Sequence, residues 1–183
     1  MIKIQLLDDE PHILKALQRV LHPYDWEIHP FDDPQVALQA LTEHNYAVVI
    51  SDLRMPQLDG ITYLQFAKQR QPHAIRMLLS GHGDRDTMMK AINQAEVYRF
   101  LSKPWEDYEL VTGVRAAIDL HLLREENQRL LAQVRNQQSA LERQQQELLR
   151  LESEHPGITR VKRDEQGHVL LDLDEPLEPE PNQ

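Results

Sequence analysis

Residues 46–56 read YAVVISDLRMP. From Tyr46 to Ile50 every side chain is apolar or aromatic, the composition of a strand buried on both faces. The run then ends in an acid, Asp52, with Ser51 before it and Met55-Pro56 just after. A lone Asp after a strand is ordinarily a helix cap or a turn former. What Asp52 is therefore depends on what its neighbours in the fold supply.

Outward from this strand, apolar runs alternate with amphipathic segments. IKIQLL (2–7) reads as a strand, and Pro11 then opens a helix carrying Ile13, Leu14, Leu17, Val20 and Leu21 at helical spacing. WEIHPF (26–31) is a weaker strand, placed near a sheet edge by Pro30. Asp33-Pro34 starts the next helix as an N-cap followed by Pro at its first position. After the strand at 46–52 come a helix over 60–70, a strand IRMLLS (75–80), a helix over 84–95 and a strand VYRFLSKP (97–104). A βα unit repeated five times predicts an α/β fold, a parallel sheet with helices on both faces.

In such sheets functional groups gather at the carboxyl ends of the strands. Those ends carry Asp8 and Asp9, Asp52, Ser80 and Lys103. Three carboxylates in one crevice repel one another unless a cation sits among them, and a hard divalent ion with oxygen ligands, most simply Mg²⁺, resolves the conflict. Lys103 adds a mobile positive charge and Ser80 a hydroxyl donor. Five polar groups all falling at strand ends read together as a site for a phosphoryl group.

Composition divides the chain. All three Phe, both Trp and all five Tyr fall within residues 24–108, and residues 114–155 contain neither Gly nor Pro. We expect a globular domain over 1–118, a helix over 119–153 continuous with the last helix of that domain, and an acidic tail over 154–183. With Leu120 at an a position, Leu120, Asn127, Val134, Leu141 and Leu148 occupy a, and Leu123, Leu130, Gln137, Gln144 and Leu151 occupy d. Seven of these ten are apolar, as in a coiled coil, and a buried Asn127 pair favours a parallel two-stranded register. A helix from 105 to 153 would run roughly 70 Å, a projection natural for a dimer. The competing reading is a solvated Gln-rich helix. Gly113 marks either close packing on the sheet or a hinge. In the tail, residues 158–173 alternate around DEQG as a hairpin would, to be held by its twin in the dimer or by a partner protein.

The totals narrow the partners. There are 30 acids against 20 Lys and Arg, a formal charge of −10, which disfavours nucleic acid and anionic membrane. No Cys is present, which suits a reducing compartment. The opening MIKIQLLDDE is too acidic for a signal peptide and no apolar run approaches a bilayer's thickness. The expectation is a cytoplasmic protein. A nucleic-acid-binding regulator acting through its tail is the alternative, resting on Arg160, Lys162 and Arg163 among nine acids from 152 onward.

The segments LLDDE (6–10), ISDLRMPQLDG (50–60), LLSGHGD (78–84) and FLSKPW (100–105) resemble the receiver domain of bacterial two-component response regulators. The resemblance covers about residues 1–118. It implies a flavodoxin-like sheet of strand order 2-1-3-4-5 and a phosphoacceptor, Asp52, charged by a sensor histidine kinase or phosphotransfer protein. It implies Mg²⁺ held by Asp8, Asp9, Asp52 and the backbone carbonyl of Arg54. Ser80 and Lys103 would bind the phosphoryl group, and Phe100 would be the aromatic switch, here without the hydroxyl of the commoner Tyr. Arg54 and His82 occupy positions that tune the lifetime of the acyl phosphate in this family. Lys103-Pro104 matches a pair whose peptide bond is commonly cis. The only chemistry implied is self-catalysed phosphotransfer and dephosphorylation. A dehalogenase-type phosphatase would need an acid two residues after its nucleophile, where Arg54 stands. No helix-turn-helix, phosphate loop or metal pair is seen after residue 118, so the expected output is a parallel homodimer that contacts an unknown downstream protein, with phosphorylation altering the coil's packing or the arrangement of the receivers around it.

Overall fold

A computed structural model of the chain describes residues 1–81 and 94–155. Along them run β1 (Ile2–Leu7), α1 (Pro11–Leu21), β2 (Trp26–Phe31), α2 (Pro34–Glu43), β3 (Val48–Asp52), α3 (Gly60–Arg70), β4 (Ile75–Ser80), β5 (Arg99–Ser102) and α4 (Asp107–Glu154). The strands form one parallel sheet of order β2-β1-β3-β4-β5. β3 is central and wholly buried, and β2, with Pro30 in it, lies at an edge. The helix expected over 84–95 falls largely outside the described residues, as does the hairpin expected over 158–173.

Alternate side chains of the strands feed two cores. On one face Leu7, Val49 and Leu78 pack with Ala37, Ala40, Tyr63, Leu64 and Ala67 of α2 and α3. On the other Ile4, Leu6, Val48, Ile50, Met77 and Leu79 pack with Leu14 and Leu17 of α1 and with Leu110, Val114 and Ile118 of α4. The helices begin where local chemistry starts them. Asp33 Oδ1 accepts the N–H of Gln35 at 2.7 Å, with Pro34 at the first position. Asp59 Oδ1 accepts from Ile61 and Thr62 at 3.1 and 3.0 Å.

Three strand boundaries differ from the sequence reading. β3 starts at Val48, because the N–H of Tyr46 goes to the side chain of Gln71 (2.9 Å) and leaves the ladder. β5 starts at Arg99, preceded by a main-chain bond from the Tyr98 N–H to the Arg76 carbonyl (2.8 Å) and by Glu96, whose φ of 48° turns the chain. β5 ends at Ser102, before Lys103 and Pro104. Gly113 is a packing residue: a Cβ there would stand 3.1 Å from the Arg99 side chain and 3.3 Å from Met77 Cε.

Residues Met1–Arg129 form one compact unit, and a second begins at Leu130. In the first unit Leu120 packs against the core shared by α1 and α4. His121, just beyond it, is buried, with Nδ1 3.0 Å from the carbonyl of His73. Leu120, expected as the first residue of the dimer seam, therefore already has an intramolecular partner. In the second unit Leu130, Val134, Leu141 and Leu148 are each about half exposed. Among the described residues no helix is long and apolar enough to cross a membrane.

Candidate functional site

β1 delivers Asp8 to the carboxyl edge of the sheet and buries it completely. Its N–H donates to Phe31 across the end of β2 (3.1 Å), and its Oδ1 accepts the N–H of Glu10 at 3.0 Å. β3 delivers Asp52, also buried, whose Oδ2 accepts the N–H of Arg54 at 2.7 Å. Beyond β5 the N–H of Lys103 donates to Ser80 at 2.8 Å, continuing the pairing by one residue. Lys103 Nζ then lies 2.7 Å from Asp8 Oδ2 and 2.5 Å from Asp52 Oδ1, with Glu10 Oε1 at 3.9 Å. Lys103-Pro104 is cis. Ser80 ends β4 between these groups, and its buried Oγ has no hydrogen-bond partner among the described residues.

The two partners of this ion pair respond differently. Burial lowers the affinity of Lys103 for its proton, but hydrogen bonds to Asp52 and Asp8 and their charges outweigh it, so its pKa is raised. Burial raises the Asp8 carboxyl, and Lys103 and the Glu10 N–H only partly offset it. One ammonium shared between two carboxylates satisfies the cation better than it satisfies Asp8.

Asp8, Asp52, Ser80 and Lys103 thus converge. Asp9 is half-buried and makes no hydrogen bond or ion pair among the described residues. Phe100 is half-buried and packs on the core beside α2 and α3. Arg54 meets Asp52 through its main chain, and His82 lies outside the described residues. Leu123 and Asn127 are exposed and Leu151 is half-buried. Three participants were not read from the sequence. Glu10 reaches Lys103, and the run of acids DDE was its signal. Gly60 abuts the main-chain carbonyl of Asp52 so closely that a Cβ would overlap the oxygen, and the pair Asp59-Gly60 opening a helix was its signal. Ser51 Oγ donates to that same carbonyl at 2.9 Å, and had no signal beyond a hydroxyl in an apolar run.

The donor set suits Mg²⁺. Every candidate ligand is a hard oxygen, and the gap between Asp8 and Asp52 already attracts the positive end of Lys103. Among the described residues no three His, Asp or Glu side chains are grouped so as to hold a metal ion by themselves. Such an incomplete set matches an ion that keeps several of its waters.

Comparison with known proteins agrees with this geometry. The model of the response regulator receiver domain matches residues 4–115. The hydrogenase transcriptional regulatory protein HoxA of Bradyrhizobium diazoefficiens is 30% identical over 125 residues, covering 68% of this chain and 26% of that protein. The chain thus spans about a quarter of that regulator's length. The response regulator protein TodT of Pseudomonas putida is 26% identical over 172 residues, covering 94% of this chain and 73% of that one. Among solved structures, the signal receiver domain of an HD domain-containing protein from Pseudomonas fluorescens Pf-5 is 39% identical with a TM-score of 0.66, covering 68% of this chain and 92% of that one. Receiver fold, clustered acids with their lysine, and family match lead to one conclusion: this chain belongs to the receiver-domain family of two-component response regulators.

Proposed function

We propose that Asp52 accepts a phosphoryl group from a phosphohistidine of a sensor kinase or phosphotransfer protein. The observation that carries this reading is the Asp8–Lys103–Asp52 cluster, both acids buried, beside Ser80, whose hydroxyl has no hydrogen-bond partner among the described residues. A carboxylate oxygen of Asp52 forms a bond to phosphorus while the N–P bond breaks, and the departing imidazole takes up a proton. Arg54 N–H holds Oδ2 and fixes the direction of the carboxylate. Lys103 would meet the incoming oxygens, and Ser80 Oγ, with no partner among the described residues, would donate to them. Asp8, Asp9, Asp52 and the carbonyl of Arg54 would hold Mg²⁺, which when bound neutralises charge on the transferring group. The chain's own chemistry is limited to this transfer and to hydrolysis of the acyl phosphate. Arg54 and His82 would set the rate of that hydrolysis.

The test is direct. With Mg²⁺ and acetyl phosphate the wild type gains one phosphoryl mass and Asp52→Asn gains none; EDTA abolishes the gain. Equal labelling of the variant refutes the assignment.

The output we propose is a parallel dimeric coiled coil built on α4, offered to a downstream protein. The exposed series Leu123, Leu130, Val134, Leu141 and Leu148 supports it. With Leu120 packed on the receiver, the seam starts at Leu123. Phe100, packed on the core beside α2 and α3, would be the aromatic switch that responds to the site. HoxA is named as a transcriptional regulator, but its output carries to this chain only as the alternative noted above, through the basic cluster of the tail.

A further inference from the structure

The main-chain carbonyl of Asp52 is in an unusual position. It belongs to the last residue of β3, and α3 begins directly against it: Gly60, the helix's first residue, leaves no room for a Cβ beside that oxygen. The Gly60 N–H points past it to the carbonyl of Leu53 at 3.0 Å. A carbonyl shielded in this way needs a donor, since a buried acceptor left unpaired is costly. The donor is Ser51 Oγ, at 2.9 Å. Ser51 itself is fully buried, between Leu7 of β1 and Leu78 of β4, where the sheet otherwise presents aliphatic side chains. A hydroxyl there has little packing reason. Its observed partner is the carbonyl of the residue whose carboxylate faces Lys103.

We propose that Ser51 is a positioning residue for phosphoryl transfer to Asp52. By bonding the Asp52 carbonyl it holds from one side the peptide between Asp52 and Leu53, whose N–H is held from the other by the Leu79 carbonyl at 2.9 Å, and so the tight turn that follows. That turn is what brings the Arg54 N–H to 2.7 Å from Asp52 Oδ2 and leaves Oδ1 to Lys103. Gly60 closes the pocket from the helix side and Ser51 fills its one hydrogen-bonding need from the strand side. Without the hydroxyl that peptide is held only through the Leu53 N–H, which donates to the Leu79 carbonyl at 2.9 Å, and the carboxylate loses part of its fixed bearing on the phosphorus. This inference rests on the phosphoacceptor reading above.

The full chain is treated with saturating acetyl phosphate and Mg²⁺, so that the Asp52 O–P bond forms as the donor's P–O bond breaks and acetate leaves. Ser51→Ala is expected to lower the maximal labelling rate about five- to twentyfold, the scale set by small misplacements of reacting groups, with little change in the donor concentration for half-maximal rate. Amide hydrogen exchange gives a readout that activity does not supply: the Arg54 N–H should lose protection in Ser51→Ala while Val48, Val49 and Ile50 keep theirs. Ser51→Thr should restore both the rate and the protection. Ser51→Cys retains the volume with a far weaker donor and should be slowed, which keeps the test open if Ser51→Ala does not fold. Labelling of Ser51→Ala or Ser51→Cys at the wild-type rate overturns the proposal. So does slow labelling with Arg54 protection unchanged. If wild type itself is not labelled on Asp52, the phosphoacceptor reading has failed instead, and this outcome is distinct from both.

Discussion

Lys103 Nζ lies 2.5 Å from Oδ1 of Asp52, although β3 and β5, which carry the two residues to the edge, are separated by β4. The amine therefore reaches across the end of β4, over the position of Ser80, and a second carboxylate, Asp8, meets it from β1. This one cation holds together the ends of three strands. Lys103→Ala leaves two buried acids without a counter-charge, a change that costs about 3 kcal/mol in comparable buried pairs. The variant is expected to unfold at lower urea in metal-free buffer, and Mg²⁺ should restore part of the loss. A midpoint equal to wild type without Mg²⁺ would show that the pair contributes nothing.

Asp8 makes the opposite prediction. Burial raises its carboxyl pKa above the ordinary 3.8, beyond what Lys103 and the Glu10 N–H bring back down. A folded-state pKa above the unfolded value means that the native chain holds the proton more tightly. The stability associated with that proton is complete below about 3.8 and is lost as pH climbs through the folded value. Above the folded value the ionised Asp8 is thus a burden in metal-free protein. Asp8→Asn should raise the denaturation midpoint at pH 7, by an amount that shrinks as the pH falls towards 4. The same variant should lose stabilisation by Mg²⁺. Lys103, raised above 10.5, contributes fully below that pH and loses its contribution only in stronger alkali.

Much of this was legible in the residues alone. A run such as VVISD specifies a central strand because only a strand covered on both faces uses apolar side chains at consecutive positions. Acids and a lysine at strand ends then had one crevice to share. What the sequence did not disclose are relations between groups distant along the chain. Arg76 in IRMLLS reads as a polar outlier, yet it is fully buried, its guanidinium donating to the carbonyls of Ala95 and Ala74 at 2.7 Å each. Leu120 fits a heptad as well as any residue, but periodicity says which face is apolar and not which surface covers it. Ser51 was invisible for the same reason, because its partner is a carbonyl and carbonyls leave no trace in a sequence.

Gly113 separates packing from hinge. Its missing Cβ faces the Arg99 side chain, exposed and able to move, and the end of Met77. Helix propensity favours Ala over Gly by about 1 kcal/mol, and the neighbours must shift only a few tenths of an ångström. Gly113→Ala should accordingly be neutral to slightly stabilising, whereas Gly113→Leu should be destabilising because Met77 is fully buried. Thermal denaturation distinguishes the two. A strong loss in the Ala variant would show that this contact cannot relax.

Ser80 should be dispensable for the resting fold. Its buried hydroxyl has no partner among the described residues, so Ser80→Ala removes an unsatisfied group and is expected to change stability by less than about 1 kcal/mol. Acetyl phosphate should still label Asp52 in this variant, while any change of oligomeric state that labelling produces in wild type should be reduced. A large loss of stability in Ser80→Ala would reveal a hydrogen bond in the resting protein.

Two apolar residues of the second unit test the coil. Leu141 and Leu148 are 57% and 53% exposed in the single chain, and both occupy a positions. Burying each Leu contributes about 1.5–3 kcal/mol, and a dimer seam would bury four of them. Replacing both by Asp removes that contribution and sets like charges against one another across the seam. Since each 1.4 kcal/mol is a factor of ten in dissociation constant, the paired substitution should weaken a dimer by at least about a thousandfold. Light scattering should then give a dimer mass for wild type and a monomer mass for the variant, with Asp52 labelled equally in both. A wild-type monomer would end the coiled-coil reading and leave the phosphoacceptor assignment untouched, because no residue of the site lies on that stretch of helix.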